Sequence, residues 1–119
     1  MSVLQVKRGE VYYANLEAVL GSETGKTRPV VIIQNDIGNA YSPTTIVAII
    51  TDYSGKKASY PICVAPGIDE GLKKAAIVNL AQVRTIDKRK LIMPRVASLP
   101  DAAMAEVDRA LKYSLALSC

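Results

Sequence analysis

The chain reads as an α+β protein, mainly β: a strongly bent antiparallel sheet or small barrel of about six short strands closed by a C-terminal helix. Three features predict this. Aliphatic and β-branched residues come in short runs separated by Gly, Pro, Asn and Ser. No long helical pattern lies between those runs, which argues against parallel βαβ units. Only the C-terminal segment switches from strand-like runs to helical spacing.

Taken in order, residues 9–16 form the first strand, with Val11, Tyr12 and Tyr13 as strand formers. A polar, Gly-containing loop follows at 17–26. Residues 27–34 are the strongest strand, because Val30, Val31, Ile32 and Ile33 form the continuous run expected of a strand buried on both faces. Pro29 stands near its start, where a missing N–H is tolerated. Residues 35–43 read as a turn-rich loop on Asn35, Asp36, Gly38, Asn39 and Pro43. A second apolar strand occupies 44–51, and a turn at Ser54–Gly55 lies within 52–58. Residues 59–64 alternate Tyr60, Ile62 and Val64 as a half-buried strand. A loop with a short helical turn is expected over 66–74. Residues 75–80 and 82–86 are strands, or one bent strand. For the helix, Ser98 and Asp101 fit an S-x-x-D capping box with Pro100 in the first turn. Met104, Val107, Leu111 and Leu115 then make one apolar stripe.

The length of 119 residues suits a single domain, 1–119, and an apolar content of 50% supports a core without staples. Without Trp or Phe, and with six Tyr, that core must be aliphatic. The absence of His removes the commonest general acid/base and the commonest zinc ligand, so any catalysis must use other groups. Cys63 and Cys119 lie far apart and fit a reducing compartment, Cys63 as a small core residue and Cys119 as a tail thiol. Residues 1–7 lack the apolar run of a signal peptide, and no apolar stretch approaches the ~20 residues that span a bilayer. The expected location is therefore the cytoplasm. A net charge of +4 and a pI near 9.1 favour an acidic partner such as nucleic acid. Arg84, Lys88, Arg89, Lys90 and Arg95 cluster against one acid, Asp87, and read as a solvated basic face.

Gly21-Ser-Glu-Thr-Gly25-Lys26-Thr27 imitates a phosphate-binding P-loop but fails the test. Three residues separate the glycines where four are needed, and a β run follows where a helix N-terminus is needed. More chemistry resides in Arg28, at the start of the most apolar strand, and Thr51, at the end of the next. A guanidinium on a rigid element suits phosphate recognition, and a hydroxyl can donate to a phosphoryl oxygen. If the two strands pair antiparallel, Arg28 and Thr51 meet at one rim of the sheet. An Arg and a Thr at strand ends are equally ordinary surface residues.

Several segments resemble the MazF/PemK family of toxin endoribonucleases. They are Lys7-Arg-Gly-Glu-Val-Tyr12, Gly21-Ser-Glu-Thr-Gly-Lys-Thr-Arg-Pro29, Val31-Ile-Ile-Gln-Asn-Asp36, Thr45-Ile-Val-Ala-Ile-Ile-Thr51 and Gln82-Val-Arg-Thr-Ile-Asp-Lys88. The resemblance, closest to the MazF type of Gram-positive bacteria, runs from about Lys7 to the C-terminal helix. It implies an SH3-like barrel assembled as a homodimer. It also implies sequence-specific cleavage of single-stranded RNA, with no metal or other cofactor, by 2′-OH attack, leaving 2′,3′-cyclic phosphate and 5′-OH ends. The family's catalytic Arg and Thr match Arg28 and Thr51, and Glu23 matches a Glu that some members use. Ser22, Asn35, Gln82 and Lys56 are the RNA-binding candidates, with Tyr41 and Tyr53 as possible stacking groups. A similar member type has Glu where this chain has Ala81, which predicts a different preferred cleavage sequence. The implied partner is a small acidic antitoxin of the MazE kind, suited to a basic groove. Two competing readings are a non-catalytic gyrase-binding toxin with a similar barrel, and a plain SH3-like interaction domain.

Overall fold

The long apolar runs pair with one another at the centre of a single antiparallel sheet. The computed structural model describes residues 5–16, 26–52, 54–58, 60, 63–64 and 76–117. Its strands are β1 (Glu10–Leu16), β2 (Lys26–Ile32), β3 (Thr44–Asp52), β4 (Cys63–Val64), β5 (Ala76–Asp87) and β6 (Leu91–Ser98). Its helices are α1 (Asp36–Tyr41), α2 (Gly55–Ala58) and α3 (Asp101–Leu115), and a 3-10 turn, Lys88–Lys90, joins β5 to β6. The strands lie in the order β4-β5-β3-β2-β1-β6, and every pairing is antiparallel.

Both faces of the sheet centre are covered, which is why β2 and β3 read as runs rather than as alternation. On one face Val11, Val31, Ala48, Ile50, Val78 and Leu80 pack against Ala103, Val107 and Ala110 of α3. On the other, Tyr12, Ala14, Leu16, Val30, Ile32, Val47 and Ile49 meet Ile86 and Leu91. Arg8 ties the periphery together. Its backbone N–H donates to Asp36 Oδ1 at 2.7 Å, its Nε to the Ile33 carbonyl at 2.8 Å and its Nη2 to Asp108 Oδ1 at 2.5 Å. Gly9 beside it has φ +93, a conformation that L side chains rarely adopt.

The expected mainly-β architecture with a C-terminal helix stands, and several local expectations are corrected. Residues 35–43 are not all loop: they hold α1, whose N-cap Asn35 accepts from Gly38 N–H at 2.8 Å. Asn and Asp signal turns and helix starts alike, so composition did not separate the two. The turn expected at 52–58 contains the short helix α2. Of 59–64, only Cys63–Val64 is strand among the described residues; the segment 66–74 lies outside them, as does Cys119. Cys63 is half-buried rather than a full core residue.

The two strands read over 75–86 are one, β5, and a further strand, β6, arises from the segment that sequence reading treated as a basic face. That strand was hidden because it is an edge with a Pro and exposed Ile92 and Met93, so it shows no clean alternation. The capping box is not formed. Ser98 pairs with Glu10 as the last residue of β6, and the N-cap of α3 is Pro100, with no side-chain bond. The helix packs through Ala103, Val107 and Ala110, whose small size permits close approach, while Leu115 is 59% exposed. Lys88 is not part of a solvated face but is 2% exposed, and it donates to the Asn39 carbonyl. Among the described residues no helix is long and apolar enough to cross a membrane.

Candidate functional site

The register of the two central strands decides what faces what at the rim. β2 and β3 pair as Val30↔Ile49, Val31↔Ala48 and Ile32↔Val47. Continued two residues outward, the same register sets Arg28 opposite Thr51. β1 places Ala14 on the other side of Arg28, and β5 places Ile77 on the other side of Thr51. On that continued register the four residues line up across four strands on the face that carries Val30 and Ile49, because cross-strand partners share a face.

The guanidinium of Arg28 is exposed, and among the described residues it makes no hydrogen bond or ion pair. Ala14 beside it takes little room. Thr51 is half-buried, and its Oγ1 is buried without a hydrogen-bond partner among the described residues. Leaving a buried hydroxyl unsatisfied costs about 1–3 kcal/mol, so such a group calls for an explanation. The rim therefore combines an unspent cation with an unspent donor, as a site for a phosphate diester requires.

β5 is irregular directly beside this row. Asn79 pairs with Ile49 and Val83 with Ala48, so Leu80, Ala81 and Gln82 form a bulge with no partners in β3. Asn79 Oδ1 accepts from Ala81 N–H at 2.9 Å. On its other side Asn79 faces Cys63 of β4. Sequence reading did not single out Asn79; a lone Asn inside Ile-Val-Asn-Leu was the available signal.

The remaining candidates divide by position. Gln82 is half-exposed at the end of the bulge, and Lys56 lies in α2, which follows the Thr51 end of β3. Asn35 and Tyr41 lie at the opposite end of the sheet, beyond the end of β2 and before β3. There Asn35 is committed as a helix cap, and Tyr41 is 81% exposed. This chain therefore does not bring Asn35 to the Arg28 rim. Ser22, Glu23 and Tyr53 lie outside the described residues.

The shifted ionisable groups belong to other parts of the molecule. Arg89 holds the Asp87 carboxyl down at about 2 through paired hydrogen bonds of 3.0 and 2.8 Å. Burial and the neighbouring Glu10 push the Tyr12 phenol up to about 12. Burial lowers the Lys88 ammonium from its ordinary range. Among the described residues no group of three or more His, Cys, Asp or Glu is placed to hold a metal ion.

Fold and rim together define a class of small bent-sheet proteins that carry an unpaired cation at the end of a rigid central strand. Over residues 7–115 the chain matches the PemK-like, MazF-like toxins of type II toxin–antitoxin systems, and it belongs to that family. It is 49% identical over 113 residues to endoribonuclease EndoA of Bacillus subtilis, covering 94% of this chain and 96% of that protein. To endoribonuclease MazF of Staphylococcus epidermidis it is 48% identical over 116 residues, covering 95% and 93%. The fold matches MazF of Deinococcus radiodurans with a TM-score of 0.76 at 21% identity, covering 95% of this chain and 98% of that one. A mycobacterial endoribonuclease solved in complex with its cognate antitoxin gives 0.75 at 24% identity, covering 96% and 98%.

Proposed function

We propose that this toxin is a metal-independent endoribonuclease that cuts single-stranded RNA, with Arg28 and Thr51 at the scissile phosphate. The observation that carries the reading is the buried Oγ1 of Thr51, which has no hydrogen-bond partner among the described residues and lies opposite Arg28 when the β2–β3 register is continued two residues outward. In the reaction the ribose 2′-oxygen attacks the adjacent phosphorus, the bond to the 5′ oxygen breaks, and that oxygen takes up a proton. A 2′,3′-cyclic phosphate and a 5′-OH result. Negative charge grows on the non-bridging oxygens during this step, and fixed donors aimed there are worth more than in water. Arg28 supplies the positive charge and Thr51 a neutral hydrogen bond. Glu23 is the proposed acceptor of the 2′-OH proton. Ser22, Gln82, Lys56 and Asn35 are the proposed RNA contacts. Because Asn35 stands away from the rim, its contact requires an RNA that extends along the sheet or a second protomer.

The toxin acts in the cytoplasm as a homodimer and is held inactive by an acidic antitoxin. The near-48–49% identity to proteins named endoribonuclease supports the activity, and relatives solved with cognate antitoxins support the partner. The test is digestion of a long single-stranded RNA in excess EDTA with mapping of the ends. Discrete cuts with 5′-OH termini are expected. Intact RNA across many sequences removes the reading and directs attention to gyrase supercoiling.

Thr51→Val separates stability from function. The substitution keeps the shape and deletes a hydroxyl that has no partner among the described residues, so urea unfolding is expected to show no loss, or a gain of ~1 kcal/mol. Cleavage is expected to fall ~10²-fold. A variant that is both less stable and fully active would place the hydroxyl outside the reaction.

A further inference from the structure

A strand presents residues two apart on one face, so Asn79 and Gln82, three apart, belong on opposite faces of a regular β5. The bulge changes that parity. Before it, Ile77 and Asn79 pair with Thr51 and Ile49; after it, Arg84 and Ile86 pair with Val47 and Thr45, all on the face of the Arg28–Thr51 row. Gln82 has no partner in β3 but stands two residues before Arg84, the spacing that puts side chains of an extended strand on one face. Bulges of this kind re-aim side chains and abound beside active sites.

Two side chains hold the bulge in this form. Asn79 Oδ1 accepts from Ala81 N–H at 2.9 Å, and Ser114 Oγ of α3 donates to the Leu80 carbonyl at 2.9 Å. The pins come from opposite directions, one from within β5 and one from the helix packed on the other face. They occupy the backbone groups of Leu80 and Ala81 that β3 does not pair. The carboxamide of Gln82, half-exposed, makes no hydrogen bond within the described residues. A side-chain amide with both its donor and its acceptor unspent is suited to a base edge of a single strand, which offers the complementary pair.

We propose that the bulge Leu80–Gln82 is the element that selects one nucleotide next to the cleaved bond, with Gln82 reading the base and with Asn79 and Ser114 as positioning residues. The proposal rests on the ribonuclease reading above and deepens it. Neither pin touches RNA through the atom that holds the bulge. Their loss therefore acts through Gln82, by letting the bulge relax and its amide wander.

The test digests a randomised single-stranded RNA pool with wild type, Gln82→Ala, Asn79→Ala, Ser114→Ala and Ser114→Thr, and sequences the cut ends. It then measures kcat/KM on the preferred oligonucleotide and its single-base variants, with Tm for every protein. The three alanine variants are expected to relax preference at the same nucleotide position by about 10-fold, the size of one paired base contact. Ser114→Thr, which keeps the hydroxyl, is expected to retain the wild-type ranking. Uniform slowing on all substrates with an unchanged ranking overturns the proposal, as does relaxation at a position other than the one Gln82→Ala affects. If Asn79→Ala does not fold, Ser114→Ala, which removes one hydrogen bond at a half-buried site, decides the matter. Failure of wild type to cut any RNA instead removes the ribonuclease reading, and the bulge proposal with it.

Discussion

Arg28→Ala is expected to lower RNA cleavage by ~10²–10³-fold while leaving Tm unchanged. The two halves of this expectation have separate physical causes. The side chain is exposed and has no partner among the described residues, so its removal breaks no folded-state contact. Substitutions at such sites usually stay within about 0.5 kcal/mol. The loss of rate follows from position. The backbone of Arg28 belongs to β2, whose Val30, Val31 and Ile32 are fully buried, so the guanidinium is carried by a rigid element rather than by a loop. Charge that is already in place when the phosphorane forms needs no reorganisation. Arg28→Lys keeps the charge but loses the paired N–H geometry, and is expected to recover only part of the rate. Cleavage kinetics under single-turnover conditions, with Tm alongside, check all three proteins. Full activity in Arg28→Ala would put the reaction elsewhere.

The largest expected effect on stability lies at the other end of the sheet. Asn39→Ala is expected to cost about 3–5 kcal/mol and to lower Tm by roughly 10 °C or more. Asn39 is fully buried, and every polar atom of its side chain is used. Its Nδ2 donates to the Gln34 carbonyl at 2.9 Å and to Asp36 Oδ1 at 3.2 Å. Its Oδ1 accepts from Thr45 Oγ1 at 2.8 Å and from Gln34 Nε2 at 3.2 Å. Truncation leaves the fully buried Thr45 hydroxyl without its acceptor and opens a gap beneath α1. The Asn39 backbone carbonyl also receives the buried ammonium of Lys88, so the same short helix carries the charge that burial disfavours. A shift of α1 after truncation threatens that bond too. Asn39→Asp preserves the acceptor for Thr45 and forfeits the two donations, and is expected to fall between. Urea unfolding monitored by circular dichroism gives the order; a loss below ~1 kcal/mol in Asn39→Ala would mean that water restores the network.

These two sites differ in how far the sequence reveals them. Arg28 and Thr51 were visible because each terminates an apolar run, and runs of Val and Ile are the least ambiguous strand signal a chain contains. The two runs do pair antiparallel, and the register they show, continued outward, sets the two rim residues opposite each other. Asn39 was read as one more turn residue in 35–43. Nothing local distinguishes an Asn that bends a loop from one that satisfies a buried network, since the difference lies in Gln34, Thr45 and Lys88, which approach from other elements. Lys88 was misplaced for a related reason. Among four other cations its burial is invisible in composition and follows only from the packing of the turn after β5 against α1.

The chain's own residue order determined the antiparallel mainly-β class, the C-terminal helix, the family and the antiparallel pairing of the two apolar runs that end in Arg28 and Thr51. All four rest on local patterning, on the proximity of two runs in the chain, or on motifs contiguous in sequence. Tertiary structure alone decided the edge strand β6, the missing cap of α3, the burial of Lys88 and Asn39, and the pinned bulge at Leu80–Gln82. Each of these depends on contacts between residues far apart in the chain: Ser98 with Glu10, Lys88 with Asn39, Ser114 with Leu80. Local propensity differs by only tenths of a kcal/mol between alternatives at such positions, whereas one satisfied or orphaned buried group is worth about 1–3 kcal/mol. The long-range term therefore wins wherever the two conflict.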